Sequence, residues 1–239
     1  MSSPAITLDL PASGERRYLS IARDLARAID AGEHASGDRL PPERELATTL
    51  AVSRTTVREA VLALELMRYV EIRVGAGVYV LPASVRALEG GNARLPDESG
   101  PSEILEARRL IEGQTARRAA ERASESELDA IAASIERMHD ALRDVPRFDR
   151  ADAEFHTLIA RAAGNDLLAG YVEHLWQMRR GPLWERWYGQ TRHITNRRRS
   201  IADHETIHQA MLRRSGDAAA TAMHAHIDVL DERFFSLNL

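Results

Sequence analysis

Ser53-Arg54-Thr55-Thr56-Val57-Arg58-Glu59-Ala60-Val61-Leu62-Ala63-Leu64 precedes Val70-Glu71-Ile72-Arg73-Val74-Gly75-Ala76-Gly77-Val78-Tyr79-Val80, and the two runs have different periods. In the first, Val57, Val61 and Leu64 form one apolar stripe with Ala60 beside it, which is the pattern of a helix. Ser53 stands where an N-cap belongs. In the second, Val70, Ile72 and Val74 alternate with Glu71 and Arg73. Gly75-Ala76-Gly77 then turns the chain and Val78 to Val80 returns, predicting a hairpin.

Upstream, Ala51-Val52 makes a tight connection to a shorter helix opened by Pro41-Pro42, with Leu46, Ala47 and Leu50 facing inward. Gly32 and Gly37 separate it from a first helix over Tyr18 to Ala31, where Ile21, Leu25 and Ile29 recur every four residues. Three helices and a hairpin predict a winged helix-turn-helix. The stripe of the third helix places Arg54, Thr55 and Arg58 on its opposite, exposed side, with Thr56 at the edge. Guanidinium forks near a helix N-terminus suit phosphates and guanine edges. Arg44 would lie over a DNA backbone, and the small-residue tip at Gly75 would approach one closely. Periodicity alone is equally consistent with the solvated face of a helix pair that binds protein.

Composition bounds the rest. A chain of 239 residues, 44% hydrophobic and 28% charged, is suited to two soluble globular domains. Cysteine is absent, which excludes disulfides, thiolate metal sites and cysteine nucleophiles. The net charge of −4 supplies no global attraction to nucleic acid, and charges nearly cancel between Arg17 and Pro82, so any DNA reading rests on local placement. Met1 to Gly14 lacks the pattern of a signal peptide, and no apolar run is long enough to cross a membrane, so a cytoplasmic location is expected. Residues 1–16 read as a flexible N-terminus and 17–82 as the winged domain. Residues 83–101, with Gly90-Gly91, Pro96 and Gly100, read as a linker. Residues 102–239 read as an all-helical domain of six or seven helices, with a capping box at Ser124 and Glu127. The fold class expected is mainly α.

Eight of the nine histidines fall between His139 and His226. Asp152 and His156 share a helix face at i and i+4, while His204 and His226 lie on later helical runs. One carboxylate and three imidazoles suit Zn²⁺, Ni²⁺ or Mn²⁺ with positions left for a ligand. Scattered histidines on amphipathic helices also serve as surface or satisfied core residues. A separate signal, His204-Glu205-Thr206-Ile207-His208, spells the H-E-x-x-H of zinc metalloproteases, with Glu205 as general base. Against that alternative stand the lack of a downstream third ligand and of a strand to hold a peptide.

The stretches Arg39-Leu40-Pro41-Pro42-Glu43-Arg44-Glu45-Leu46-Ala47, Val52 to Ala60 and Gly75-Ala76-Gly77-Val78-Tyr79-Val80 resemble the GntR family across residues 17–81. The resemblance implies a homodimer on a palindromic double-stranded DNA operator, contacted through Arg44, Arg54, Thr55, Thr56, Arg58 and the wing Gly75. Phe155-His156 after Asp152, Ala163-Gly164-Asn165, Asp203-His204 and Ala222-Met223-His224-Ala225-His226 resemble the FCD effector domain of the FadR-type subfamily, through residues 102–235. That implies a divalent metal, zinc foremost, on Asp152, His156, His204 and His226, but not His208 or His224. Arg108 matches a pocket arginine that clamps an effector carboxylate; read alone it is equally a surface arginine. Gly100 to Leu105, Leu175-Trp176-Gln177 and Pro182-Leu183-Trp184 resemble hexuronate-responsive regulators of sugar-acid catabolism. Trp176 and Trp184 would then lie beside a sugar or simply in the core. The function implied is that of a repressor released by a small organic acid; an architectural DNA-binding protein without an effector is the other non-enzymatic alternative.

Overall fold

The computed structural model describes residues 16–88 and 98–236, with the side chains of 86–88, 235 and 236 undescribed. Residues 1–15 and 89–97, most of the expected flexible N-terminus and half of the expected linker, lie outside that description. Among the described residues the chain divides into two compact units. One holds residues 16–88, 98–100 and Pro182–Trp187; the other holds Pro101–Gly181 and Tyr188–Phe234.

The first unit begins with α1 (Arg17–Asp30), α2 (Glu43–Thr49) and α3 (Arg54–Leu66). Helices α1 and α2 pack on α3, burying Ile21, Leu25, Leu46, Val57, Val61 and Leu64. The Ser53 hydroxyl accepts a bond from Thr56 N–H and caps α3. The tight α2–α3 connection is closed by Ala51 at φ 50°, a left-handed conformation unusual for a residue with a Cβ.

Strands β1 (Val70–Arg73) and β2 (Gly77–Val80) pair antiparallel in the register Val70↔Val80 and Ile72↔Val78. The expected strand stops one step early: Val74 belongs to the exposed turn, beside Gly75 at φ 77°. The segment before α2 also joins the wing, since Leu40 N–H donates to Val78 O and Val80 N–H to Asp38 O. A short helix, α4 (Ala83–Leu88), occupies the start of the stretch expected to be a linker.

The second unit is built from α5 (Pro101–Arg122), α6 (Glu125–Asp140), α7 (Val145–Ala162), α8 (Asp166–Met178), α10 (Ile194–Leu212) and α11 (Gly216–Ser236). Helix α9 (Pro182–Thr191) contributes residues to both units. The fold is mainly α, as expected, with a small hairpin as its sheet. The capping box forms as read: Ser124 accepts from Glu127 N–H and Glu127 accepts from Ser124 N–H. Helix α7 packs against α5, α6 and α8, while α10 packs against α5 and α6. No described helix is long and apolar enough to cross a membrane.

Candidate metal and effector site

Helix α7 carries Asp152 and His156 on one face, one turn apart; α10 brings His204 and α11 brings His226. All four are buried, and one ligand atom from each lies within 4.8 Å of the others. The converging atoms can be identified. His204 Nε2 is 3.3 Å from His226 Nε2 and 3.5 Å from Asp152 Oδ1, and His156 Nε2 is 3.7 Å from the same carboxylate oxygen. A tetrahedral ion with bonds of about 2.0–2.1 Å needs ligand atoms roughly 3.3–3.4 Å apart. These three spacings are near that edge length, while the four atoms together spread over up to 4.8 Å.

The chemistry of the donors agrees. Asp152 Oδ1 and His156 Nε2 are buried without a hydrogen-bond partner among the described residues. Leaving such groups unsatisfied costs about 1–3 kcal/mol each, and a cation would satisfy both together. Burial lowers the pKa of His156, partly opposed by Glu112, and lowers that of His204 well below the usual value. Repulsion from His226 and His156 adds to the effect at His204. Neutral imidazole is the form a metal requires. These four residues fit a divalent ion, which would act there as a Lewis acid towards oxygen ligands.

Arg108 is on α5 and fully buried, so the surface reading is wrong for this residue. Its Nε and Nη2 meet both oxygens of Glu112, at 2.6 and 3.3 Å, and Nη1 has no hydrogen-bond partner among the described residues. The same Glu112 lies 2.5 Å from His156 Nδ1 and accepts from Trp176 Nε1 at 3.2 Å. Burial would raise the Glu112 carboxyl, but Arg108 and His156 outweigh it and hold it below the usual carboxylate range. The Trp176 ring lies between two cations, Arg108 at 4.4 Å and Arg179 at 3.8 Å. Trp176 thus belongs to the site. Trp184, in contrast, packs edge-to-face on Trp187 in the other unit and serves the core.

A polar recess with room for about one water molecule opens onto Asp152 and His226. Arg179, Arg192, Arg197 and Arg233 line it, and Tyr188, Asn196 and Ser200 add hydrogen-bonding groups. Burial lowers the pKa of Arg179, with repulsion from Arg108 adding to it, and raises that of the Tyr188 hydroxyl, with Asp152 adding to it. The lining favours an anion bearing hydroxyls. Glu112, Arg179 and the recess arginines were missed in the sequence. The one available signal was the i,i+4 spacing of Arg108 and Glu112.

The H-E-x-x-H motif does not assemble. His208 Nε2 meets the Leu128 carbonyl, outside the metal-ligand group, and Glu205 is exposed beside His139 at 3.0 Å. His224 is also outside that group and lies over Gly113.

In the first unit Arg44 and Arg54 are exposed, Thr55 and Thr56 half-buried, and Gly75 exposed at the wing tip. Arg58 departs from expectation. It is 1% exposed, and its Nε and Nη2 meet Glu43 Oε1 and Oε2 at 2.6 and 2.5 Å. The start of α2 lies across α3 at this level, so the side opposite the Val57 stripe is covered. Glu43 also holds Arg54, more loosely, at 3.7 Å.

Residues 17–80 match the bacterial regulatory proteins of the gntR family, and residues 103–229 match the FCD domain. The Uxu operon regulator of Haemophilus influenzae is 33% identical over 93% of this chain and 84% of its own length. The Exu regulon transcriptional regulator of Escherichia coli K12 is 35% identical over 89% and 82%. The solved structure of E. coli McbR/YncC has a TM-score of 0.50 at 20% identity, covering 92% of this chain and 97% of that one, and bears on fold alone.

Proposed function

The chain belongs to the GntR family of bacterial DNA-binding transcriptional regulators, in the branch with an FCD domain, and from that premise we propose that it is a metal-dependent repressor released by a sugar acid. The observation carrying the sensor half is the convergence of Asp152, His156, His204 and His226 at an arginine-lined recess. Zinc suits a set of three imidazoles and a carboxylate. A carboxylate effector would enter by widening this recess, with Arg179, Arg192, Arg197 and Arg233 balancing its charge and Asn196, Ser200 and Tyr188 meeting its hydroxyls. A hexuronate carries both kinds of group, and the relatives named for the Uxu operon and Exu regulon favour that class.

On the DNA side, a homodimer would set two α3 helices into a palindromic operator in the cytoplasm. Arg54, Thr55 and Thr56 stand at the exposed start of α3, with Arg44 and Gly75 beside the DNA backbone. Arg58 acts through Glu43, holding the first turn of α3 in place. Effector binding favours an arrangement of the chain with lower operator affinity, which requires differential affinity for the two states. As a family of regulators, not of enzymes, it offers no support for the protease reading.

The test is fluorescence anisotropy on a palindrome selected from random DNA. Zinc-loaded protein should release it on addition of a hexuronate, and His204→Ala should bind it equally well without responding. A His204→Ala variant that still responds would remove the metal-dependent mechanism; no selectable palindrome would remove the operator.

A further inference from the structure

Glu112 belongs to no metal-ligand set and does not line the recess, yet three functional side chains meet on its carboxylate. Oε2 lies 2.5 Å from His156 Nδ1 and 3.3 Å from Arg108 Nη2. Oε1 lies 2.6 Å from Arg108 Nε and 3.2 Å from Trp176 Nε1. All four residues are buried. An imidazole offers one lone pair when neutral, so the nitrogen that carries the proton decides the nitrogen that binds a metal. A carboxylate accepts only. The 2.5 Å contact favours a proton on His156 Nδ1, although the two groups are not aligned as a hydrogen bond, and leaves Nε2 facing Asp152 and His204.

Resting on the metal site proposed above, we infer that Glu112 is a positioning residue that orients His156 as a ligand and joins the metal site to Arg108 through one shared carboxylate. The arrangement is repeated more weakly at His226, whose Nδ1 lies 3.4 Å from Asp203 Oδ2 while its Nε2 faces the site. A ligand histidine held by an outer carboxylate binds more tightly, and removing such a carboxylate commonly costs 10–100-fold in metal affinity. Arg108 gains as well. Its planar fork is paired with Glu112 and lies over the Trp176 face, and Arg108 itself does not line the recess. Any shift of Glu112 is therefore felt at both the metal and the arginine.

Two measurements on the full-length chain test this. The first is the ring ¹⁵N spectrum of metal-free wild type, with His156 assigned from the loss of its signals in His156→Gln. His156 is expected as the Nδ1–H tautomer; a predominantly Nε2–H ring overturns the role outright. The second is zinc competition against a chromophoric chelator for wild type, His204→Ala and Glu112→Gln. Glu112→Gln keeps the shape but loses the charge, and should weaken zinc 10–100-fold. It should also alter the visible spectrum of the Co²⁺-substituted site, which a merely structural loss would leave unchanged in the molecules that bind. Wild-type zinc affinity in folded Glu112→Gln overturns the inference while leaving the metal site in place. Wild type that binds no zinc removes the metal site and this role together. If Glu112→Gln does not fold, the wild-type tautomer decides.

Discussion

Arg54 and Arg58 are one turn apart on α3, yet the Arg54 side chain is 57% exposed and that of Arg58 1%. Breaking a buried ion pair from one side leaves an uncompensated charge and costs about 3–5 kcal/mol. Arg58→Ala should lose stability on that scale in urea unfolding. Arg54→Ala should stay within about 0.5 kcal/mol of wild type while losing about 1–3 kcal/mol of operator affinity. Equal stability losses in the two variants would contradict these roles. The helical period correctly set the apolar stripe of α3, but it sees one helix at a time. It cannot reveal that Glu43, fifteen residues upstream, covers the far side. The buried histidines make a second prediction at this scale. In the metal-free chain the folded pKa values of His156 and His204 are lowered, first by burial. As pH falls through about 6.5, the unfolded chain takes up these protons before the folded one. Their contribution is whole above about 6.5 and is lost as pH falls toward the lowered folded values. The urea midpoint of chelated protein should drop between about pH 7.5 and 5.5; a flat profile would show that these rings do not resist protonation.

Among the elements, α3 has the clearest sequence signature and a testable cap. Ser53→Ala removes the acceptor for Thr56 N–H and should cost about 1 kcal/mol. The loss should appear in thermal unfolding, with weaker operator binding because Arg54 and Thr55 begin the same turn. An unchanged melting temperature would mean that the first turn is held otherwise. Local chemistry of this kind was legible: Ser53, the Ser124–Glu127 capping box and the i,i+4 pair Asp152–His156 all read directly from spacing. Elements that depend on distant partners were not. The pairing of Leu40 with Val78 adds an edge to the wing without any signal in its own stretch. Glu65 near the end of α3 accepts from the Ile72 N–H of β1 and pairs with Arg186 of α9, again a contact between segments far apart in the chain.

Over the whole molecule, the proposed metal ligands come from three helices, α7, α10 and α11. The family resemblance singled out His204 and His226 over His208 and His224, and the fold brings the first pair together with Asp152 and His156. Burying Asp152, Arg108, Glu112, Arg179 and three imidazoles together is a poor source of stability. The most direct test is a thermal-shift series on zinc-loaded and chelated protein with hexuronates beside smaller organic acids. A ligand specific for the folded state adds about 2.7 kcal/mol at 100 times its dissociation constant. A hexuronate should raise the melting temperature of zinc-loaded protein and lose most of that effect after chelation. No shift with any acid, or one indifferent to chelation, would contradict a metal-dependent acid sensor.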